Sequence, residues 1–261
     1  MKRGCVAIPV RLDSKRLRQK ALISIMGMPM IEHVWRRARL EFPSEEIIIL
    51  SGDEEIRSSL KHLPIRFFKS LEDHPNGTSR VLEFMKSSEE FEFVTVLQGD
   101  EILVEPQILR GIHDAMAARS TEVSGINLVS PLLSIADLSD ESIVKCCINQ
   151  AMEMVYLFRK NPLVSTDLSI IRQHIAVVRG MFSLSREAIL DLGSLAKIPL
   201  SIAESIEQLE LTLGPRRIGT LVTDTYYPSI NTNADLNQVN RILDSDEYQK
   251  QLFAASKHIH S

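Results

Sequence analysis

The sequence predicts an α/β protein: a mainly parallel central sheet with helices on both faces, plus a smaller, more antiparallel subdomain. Three observations predict it. In the first half, short apolar runs alternate with amphipathic stretches, as buried parallel strands alternate with covering helices. In the second half, strand-like runs follow one another with fewer helices between them. The chain, 261 residues with 44% hydrophobic and 25% charged, is long enough for one large core with an appended part.

Taken in order, Cys5 to Val10 reads as a buried first strand. From Pro29 to Leu40, Ile31, Val34, Trp35 and Ala38 recur at helical spacing, with Arg36, Arg37 and Arg39 on the other face. Ile47 to Leu50 predicts a second buried strand, Glu54 to Leu60 a polar helix and Ile65 to Phe68 a third strand. Val81 to Met85 is the core of a helix and Phe93 to Leu97 a fourth strand. Val123 to Leu128, Ile143 to Ile148, Met154 to Phe158 and Ile175 to Val178 read as strands of the second half. Ile202, Ile206, Leu209 and Leu213 form a helical stripe that Gly214-Pro215 stops. Ile218 to Val222 is a strand returning to the main sheet and Ala234 to Leu243 a closing helix; Lys257 to Ser261 reads as a frayed tail.

Composition excludes several classes. With 30 Lys+Arg against 34 Asp+Glu and a formal net charge of -4, the chain lacks the basic surplus of a nucleic-acid coat. The N-terminal apolar run is too short for a signal peptide, and no run approaches the roughly 20 apolar residues of a membrane span. Cys5, Cys146 and Cys147 show no CxxC spacing, which argues against a disulfide framework or a structural zinc site. The expectation is a soluble protein of a reducing cytosol, with no nucleic-acid or membrane partner.

Three segments can carry chemistry. The loop after the first strand holds Arg11, Lys15, Arg16, Arg18 and Lys20 at the carboxyl end of a buried strand, where open α/β sheets bind ligands. That cluster suits a triphosphate, whose oxygens need cationic partners during transfer; read alone, composition favours a solvated basic loop. There is no GxxxxGK[ST] and no GxGxxG in the chain. Asp73 to Arg80 contains a turn-forming Asn76-Gly77 pair, and its glycine permits close backbone approach to a base or phosphate. The plain alternative is a loop leading into a helix capped by Asn76 or Thr78. Gln98-Gly99-Asp100-Glu101 puts an acidic pair after a buried strand, a way of presenting a Mg²⁺ ligand to a nucleotide or, alternatively, of capping a turn.

Together and in this order, the segments resemble the 3-deoxy-manno-octulosonate (KDO) cytidylyltransferases, or CMP-KDO synthetases. Ile8 to Leu17 is similar to the family's I-P-A-R-x-x-S-x-R-L, with Lys20 at its lysine. Gly27 to Val34 resembles G-K-P-M-I-x-H-V, Asn76 to Arg80 resembles S-G-T-x-R, and Leu97 to Glu101 resembles V-Q-G-D-E. Ile143-Val144-Lys145 and Tyr156 to Arg159 look like A-V-K and Y-F-S-R. Pro199 to Leu209 keeps the spacing of P-L-E-x-x-E-x-x-E-Q-L, and Ile230 to Leu236 stands in the place of V-D-T-P-E-D-L. The likeness spans nearly the whole chain.

The resemblance implies a Rossmann-like nucleotidyltransferase fold. The nucleotide-binding core would comprise residues 1–124 and 216–261, and a sugar-acid-binding and dimerisation subdomain residues 125–215. It implies transfer of CMP from CTP to a 3-deoxy-2-keto sugar acid with Mg²⁺, in a homodimer. By motif position, Arg11, Ser14, Arg16 and Lys20 line the triphosphate; Asn76, Gly77 and Gln98 lie by the cytidine, with Arg80 near. Arg11, Lys20 and Asp100 are the implied catalytic residues, and Asp100 and Asn231 the implied metal ligands. Arg159, His174, Glu207 and Gln208 would face the sugar acid; Glu207 and Gln208 read alternatively as the wet face of the Ile202–Leu213 helix.

Several positions depart from the pattern. Asn231 replaces the second metal-binding aspartate, bringing an amide oxygen without its charge. Arg18 replaces a loop proline, Ser201 a glutamate, Phe158 a serine and Val178 a tyrosine. Two other readings share these motifs: a relative that binds CTP without turning it over, and a nucleotidyltransferase with another sugar acceptor.

Overall fold

The computed structural model describes residues 3–13, 17–160, 167–225 and 227–259. The chain opens with β1 (Gly4–Pro9), the small hairpin β2 (Ser24–Ile25) and β3 (Met28–Pro29), and α1 (Met30–Ala38). There follow β4 (Ile47–Ser51), α2 (Glu54–Ser59), β5 (Arg66–Lys69), α3 (Gly77–Ser87), β6 (Phe93–Leu97) and α4 (Pro106–Arg119). The next stretch holds β7 (Gly125–Pro131), α5 (Ile135–Ser139), β8 (Lys145–Ile148), β9 (Met154–Phe158), α6 (Leu168–Ile171) and β10 (Ile175–Ser185). It closes with α7 (Arg186–Ser194), α8 (Pro199–Glu204), α9 (Leu209–Thr212), β11 (Ile218–Val222), α10 (Asn233–Ser245) and α11 (Glu247–Lys257).

Among the described residues, nine strands form one sheet whose main path is β11-β7-β10-β6-β1-β4-β5, with β8 branching from β10 and β9 from β8. β1 pairs in parallel with β4 and β6, β4 with β5, and β7 with β11. Only β10 runs against this direction in the main path, antiparallel to both β6 and β7. The expected parallel sheet with an antiparallel part is therefore present. β7 and the second half of β10 run inside the main sheet. A register shift between Val178 and Phe182 bends β10, and its first half leaves the β6 edge to pair with β8. A separate small core of Leu132, Leu138, Phe158, Ile171, Ile175 and Val177 lies there.

Strand alternation divides the main core in two. Val6, Ile8, Ile47 and Ile49 face one side, against Val34 and Trp35 of α1 and Leu109 and Ile112 of α4. Cys5, Ala7, Ile48 and Leu50 face the other, against Val81, Phe84 and Met85 of α3 and Ile189 of α7. All six residues of β1 are buried, so the strand's carboxyl end is held without freedom to shift.

The structure corrects three local expectations. Arg37, which the spacing puts on the outer face of α1, is buried and donates from Nη1 to the Val104 carbonyl at 3.2 Å. The stripe from Ile202 to Leu213 is not one helix: α8 ends at Glu204, its C-cap Ser205 lies in the left-handed region at φ 53°, and α9 begins at Leu209. Burial of Gln208 and Glu210 accounts for the break, since a straight helix would keep Gln208 on its outer face. α4 lies where the periodicity assigns no element, because its buried stripe of Leu109, Ile112 and Met116 is interrupted by buried His113. No helix of the described residues is long and apolar enough to cross a membrane.

Candidate active site

The carboxyl ends of β1 and β6 lie side by side, because these strands pair from Gly4↔Phe93 to Ala7↔Val96. Beyond them opens a cavity of about 360 Å³. Pro9, Val10, Arg11 and Asp13 line it from the end of β1 and the loop after it, Gln98, Gly99 and Asp100 from the turn after β6, and Asn76, Gly77 and Arg80 from the start of α3. Lys20, Ala21, Met30 and Asn231 complete the wall.

α3 begins here because Asn76 caps it, its Oδ1 accepting the Ser79 N–H at 2.8 Å. Its positive end and first amides therefore face the cavity, where an anion is favoured. Gly77 is needed for the close approach: a Cβ there would lie 3.0 Å from Pro9 Cγ and 3.2 Å from Gln98 Oε1. One turn on, buried Arg80 donates from Nη1 to the Val10 carbonyl at 2.7 Å, and its Nε has no partner. Burial lowers the basicity of this guanidinium, an effect Asp53 opposes. The loop after β1 is tied down by the Leu12 N–H, which donates to Asp53 Oδ2 at 2.8 Å.

At the opposite wall, Lys20 opens a one-turn helix, Lys20–Leu22. Its ammonium donates to Asp100 Oδ2 at 2.7 Å, to the Ile230 carbonyl at 2.9 Å and to Asn231 Oδ1 at 3.4 Å. Asn231 is held by its own helix. Its N–H donates to Asp235 Oδ2 at 2.9 Å, and Asp235 forms a capping box with Thr232 at the start of α10. The Ile230 N–H donates to the Asp100 carbonyl at 3.2 Å, which couples the turn after β6 to the loop before α10. A carboxylate, an amide oxygen and a backbone carbonyl thus converge on one point, an all-oxygen set of the kind hard divalent cations take. It carries one negative charge, which Lys20 neutralises. Next to Asp100, the Glu101 carboxyl turns inward onto Gly180, and burial, reinforced by Asp100, pushes its pKa well up.

The structure therefore brings together Arg11, Lys20, Asn76, Gly77, Arg80, Gln98, Asp100 and Asn231. Ser14 and Arg16, with Lys15, lie outside the described residues. Glu207 reaches the edge of the site by accepting a hydrogen bond from the Asn76 side-chain amide. The other sugar-acid candidates do not line this cavity. Gln208 is buried and accepts from Asn127 Nδ2 at 2.6 Å. Arg159 donates from Nε to the Glu204 carbonyl and from Nη1 to those of Glu141 and Ser142. His174 sits exposed before β10, its carbonyl accepting the Ile148 N–H. Asp13 and the Ile230 carbonyl are additions. Asp13 lies inside the first motif and was findable there, whereas a backbone acceptor leaves no signature in side-chain chemistry.

The chain matches the model of the cytidylyltransferase family over residues 5–218. It is similar to 3-deoxy-manno-octulosonate cytidylyltransferase of Chlorobium phaeobacteroides, 32% identical over 250 residues that cover 92% of this chain and 97% of the relative. The protein of the same name from Escherichia coli is 26% identical over 243 residues, covering 93% and 97%. A solved structure of CMP:2-keto-3-deoxy-manno-octonic acid synthetase complexed with CTP has the same fold. Its TM-score is 0.85 at 24% identity, over 94% of this chain and 99% of the other. The ordered motifs, the cavity they build between β1 and β6, and these likenesses agree: the chain belongs to the 3-deoxy-manno-octulosonate cytidylyltransferase family.

Proposed function

We propose that the chain transfers the cytidylyl group of CTP to the anomeric hydroxyl of 3-deoxy-manno-octulosonate or a closely related sugar acid. The acceptor oxygen forms a bond to the α-phosphorus as the bond to the β-phosphate oxygen breaks, and pyrophosphate leaves. No covalent enzyme intermediate is needed; the protein orients the reactants and offsets charge on the phosphoryl oxygens. The observation that carries this reading is the placement of Arg11 and Lys20 with Asp100 around one cavity at the end of β1 and β6.

In this reading the triphosphate lies along Arg11, Lys20 and the first turn of α3, and the cytidine lies by Asn76, Gly77 and Gln98. Asp100 and Asn231 would hold Mg²⁺, which when bound supplies charge neutralisation at the phosphates. The oxygen set supports that assignment; the neutral Asn231 makes it a weaker one than two carboxylates. Arg159, His174, Glu207 and Gln208 remain our candidates for the sugar-acid side, of which Glu207 has the most direct support through Asn76. Residues 125–215 would carry the acceptor and a homodimer contact, supported by exposed Leu133, Val155 and Ile170 beside the small third core. The activity would serve lipopolysaccharide synthesis in the cytoplasm.

Asn231 favours one second reading, a relative that binds CTP with little turnover. Pyrophosphate release with CTP, Mg²⁺ and a panel of 3-deoxy sugar acids separates the two. Release with one sugar acid supports transfer, CTP binding without release supports the second reading, and a preference for UTP or GTP overturns the base assignment.

A further inference from the structure

Lys20 does more at this site than face a triphosphate. An ammonium has three N–H donors, and in this structure all three have an oxygen: Asp100 Oδ2, the Ile230 carbonyl and Asn231 Oδ1. Two of those oxygens belong to the side chains assigned to the metal. The ammonium is thus seated at the point where the oxygens converge, and a divalent cation bonding the same atoms at about 2 Å would stand in like-charge contact with it. The charge count favours the lysine. Asp100 brings one negative charge, Lys20 cancels it, and Asn231 adds none. With an aspartate at 231, one ammonium would leave a net negative charge to attract metal. Among the described residues, no group of three or more His, Cys, Asp or Glu offers a metal another seat.

We propose that Lys20 is a resident counterion that keeps a divalent cation out of this oxygen triad until nucleotide phosphates compete for its ammonium. The inference rests on the nucleotide-binding reading for what displaces Lys20, and on the geometry alone for what it excludes. The side chain has room to leave. It is 17% exposed, it borders the cavity, and Arg11 and Arg80 would draw phosphate oxygens alongside it. The consequence is an order of events in which metal enters with the nucleotide rather than ahead of it.

The test is Mn²⁺ binding to the full chain without nucleotide, read from the loss of the free-ion electron paramagnetic resonance signal. Lys20→Met is expected to bind Mn²⁺ at least tenfold more tightly than the unsubstituted protein. Lys20→Arg, which keeps the charge, should show no gain. Asp100→Asn added to Lys20→Met should abolish the gain, and Asn231→Asp alone should tighten binding by outweighing the single ammonium. Equal Mn²⁺ affinity in the unsubstituted protein and Lys20→Met overturns the proposal, as does a gain that survives loss of Asp100. CTP binding by equilibrium dialysis is scored separately. A chain that fails to bind CTP while Lys20→Met gains Mn²⁺ retracts the nucleotide reading and upholds the exclusion of metal by Lys20. A chain that binds CTP while Lys20→Met gains nothing does the reverse.

Discussion

Lys20 and Asp100, 80 positions apart in the chain, meet at 2.7 Å because β1 and β6 are parallel neighbours that end at the same level. The pair is partly exposed, so its worth to stability is small, while its place at the cavity wall gives it a large share in the proposed chemistry. Asp100→Ala is expected to lower kcat for pyrophosphate release at least a hundredfold and to change unfolding free energy by no more than about 1 kcal/mol. Steady-state kinetics and urea unfolding check both; undiminished turnover would remove Asp100 from the reaction.

The substitution Asn231→Asp restores a second carboxylate beside Asp100, held by the same Asp235 and Thr232 cap. It should lower the Mg²⁺ concentration for half-maximal rate several-fold, since hard cations prefer charged oxygen ligands. A Mg²⁺ titration of initial rate is the measurement, and an unmoved midpoint would show that residue 231 lies off the metal.

Gly77 packs where a Cβ would press on Pro9 and Gln98. Gly77→Val should therefore cost about 1–3 kcal/mol of stability through overpacking and weaken CTP binding more than tenfold by displacing the start of α3. Gly77→Ala, the smaller intrusion, should fall between. Urea denaturation and nucleotide titration report the two effects, and wild-type CTP affinity in the valine variant would place the nucleotide elsewhere.

Asn127 Nδ2 donates to Gln208 Oε1 at 2.6 Å in a buried pair, and Asn127 Oδ1 has no hydrogen-bond partner. Gln208→Leu leaves the Asn127 amide buried and unpaired, at an expected cost of about 1–3 kcal/mol. The double variant with Asn127→Leu should recover part of that loss, because both polar groups are then gone. Additive losses in the double-mutant cycle would argue that the pair does not interact.

His113 lies buried against Phe93 and Phe42 and shares a hydrogen bond with Thr95. Burial, assisted by Arg110, lowers its pKa from 6.5 to about 4. Between these values the unfolded chain binds the proton and the folded chain does not, so stability rises with pH across this window. Acidification from pH 6.5 to 4 should remove up to about 3 kcal/mol through this residue. His113→Gln should show a correspondingly flatter dependence in urea unfolding at a series of pH values. Parallel curves for the two proteins would refute the assignment.

Much of the fold was legible because the strands declare themselves locally. Ile47 to Leu50 is apolar on both faces, and Phe93 to Val96 is so but for Thr95, a pattern that a sheet covered on both sides satisfies. The helices were less uniform. α1 carries its apolar stripe yet also buries Glu32, His33 and Arg37, α4 hides a histidine in its buried face, and α8 and α9 share a periodicity that continues through a break. Spacing records which residues are apolar, not whether the backbone between them stays helical. At the site, Asp100, Gln98, Arg11 and Asn76 were readable from their positions after strands or before a helix. The partners of Arg159 were not, since three of them are backbone carbonyls from distant turns.

By itself, the order of residues determined the parallel sheet, the run of motifs and the cationic loop that begins at Arg11, because each depends on composition within a few neighbouring positions. Only the tertiary structure decided that the Lys20 ammonium sits among oxygens from Asp100, Ile230 and Asn231, 80, 210 and 211 positions away. Such a contact is the outcome of strand order and helix packing summed over the whole chain, and no local pattern contains that sum.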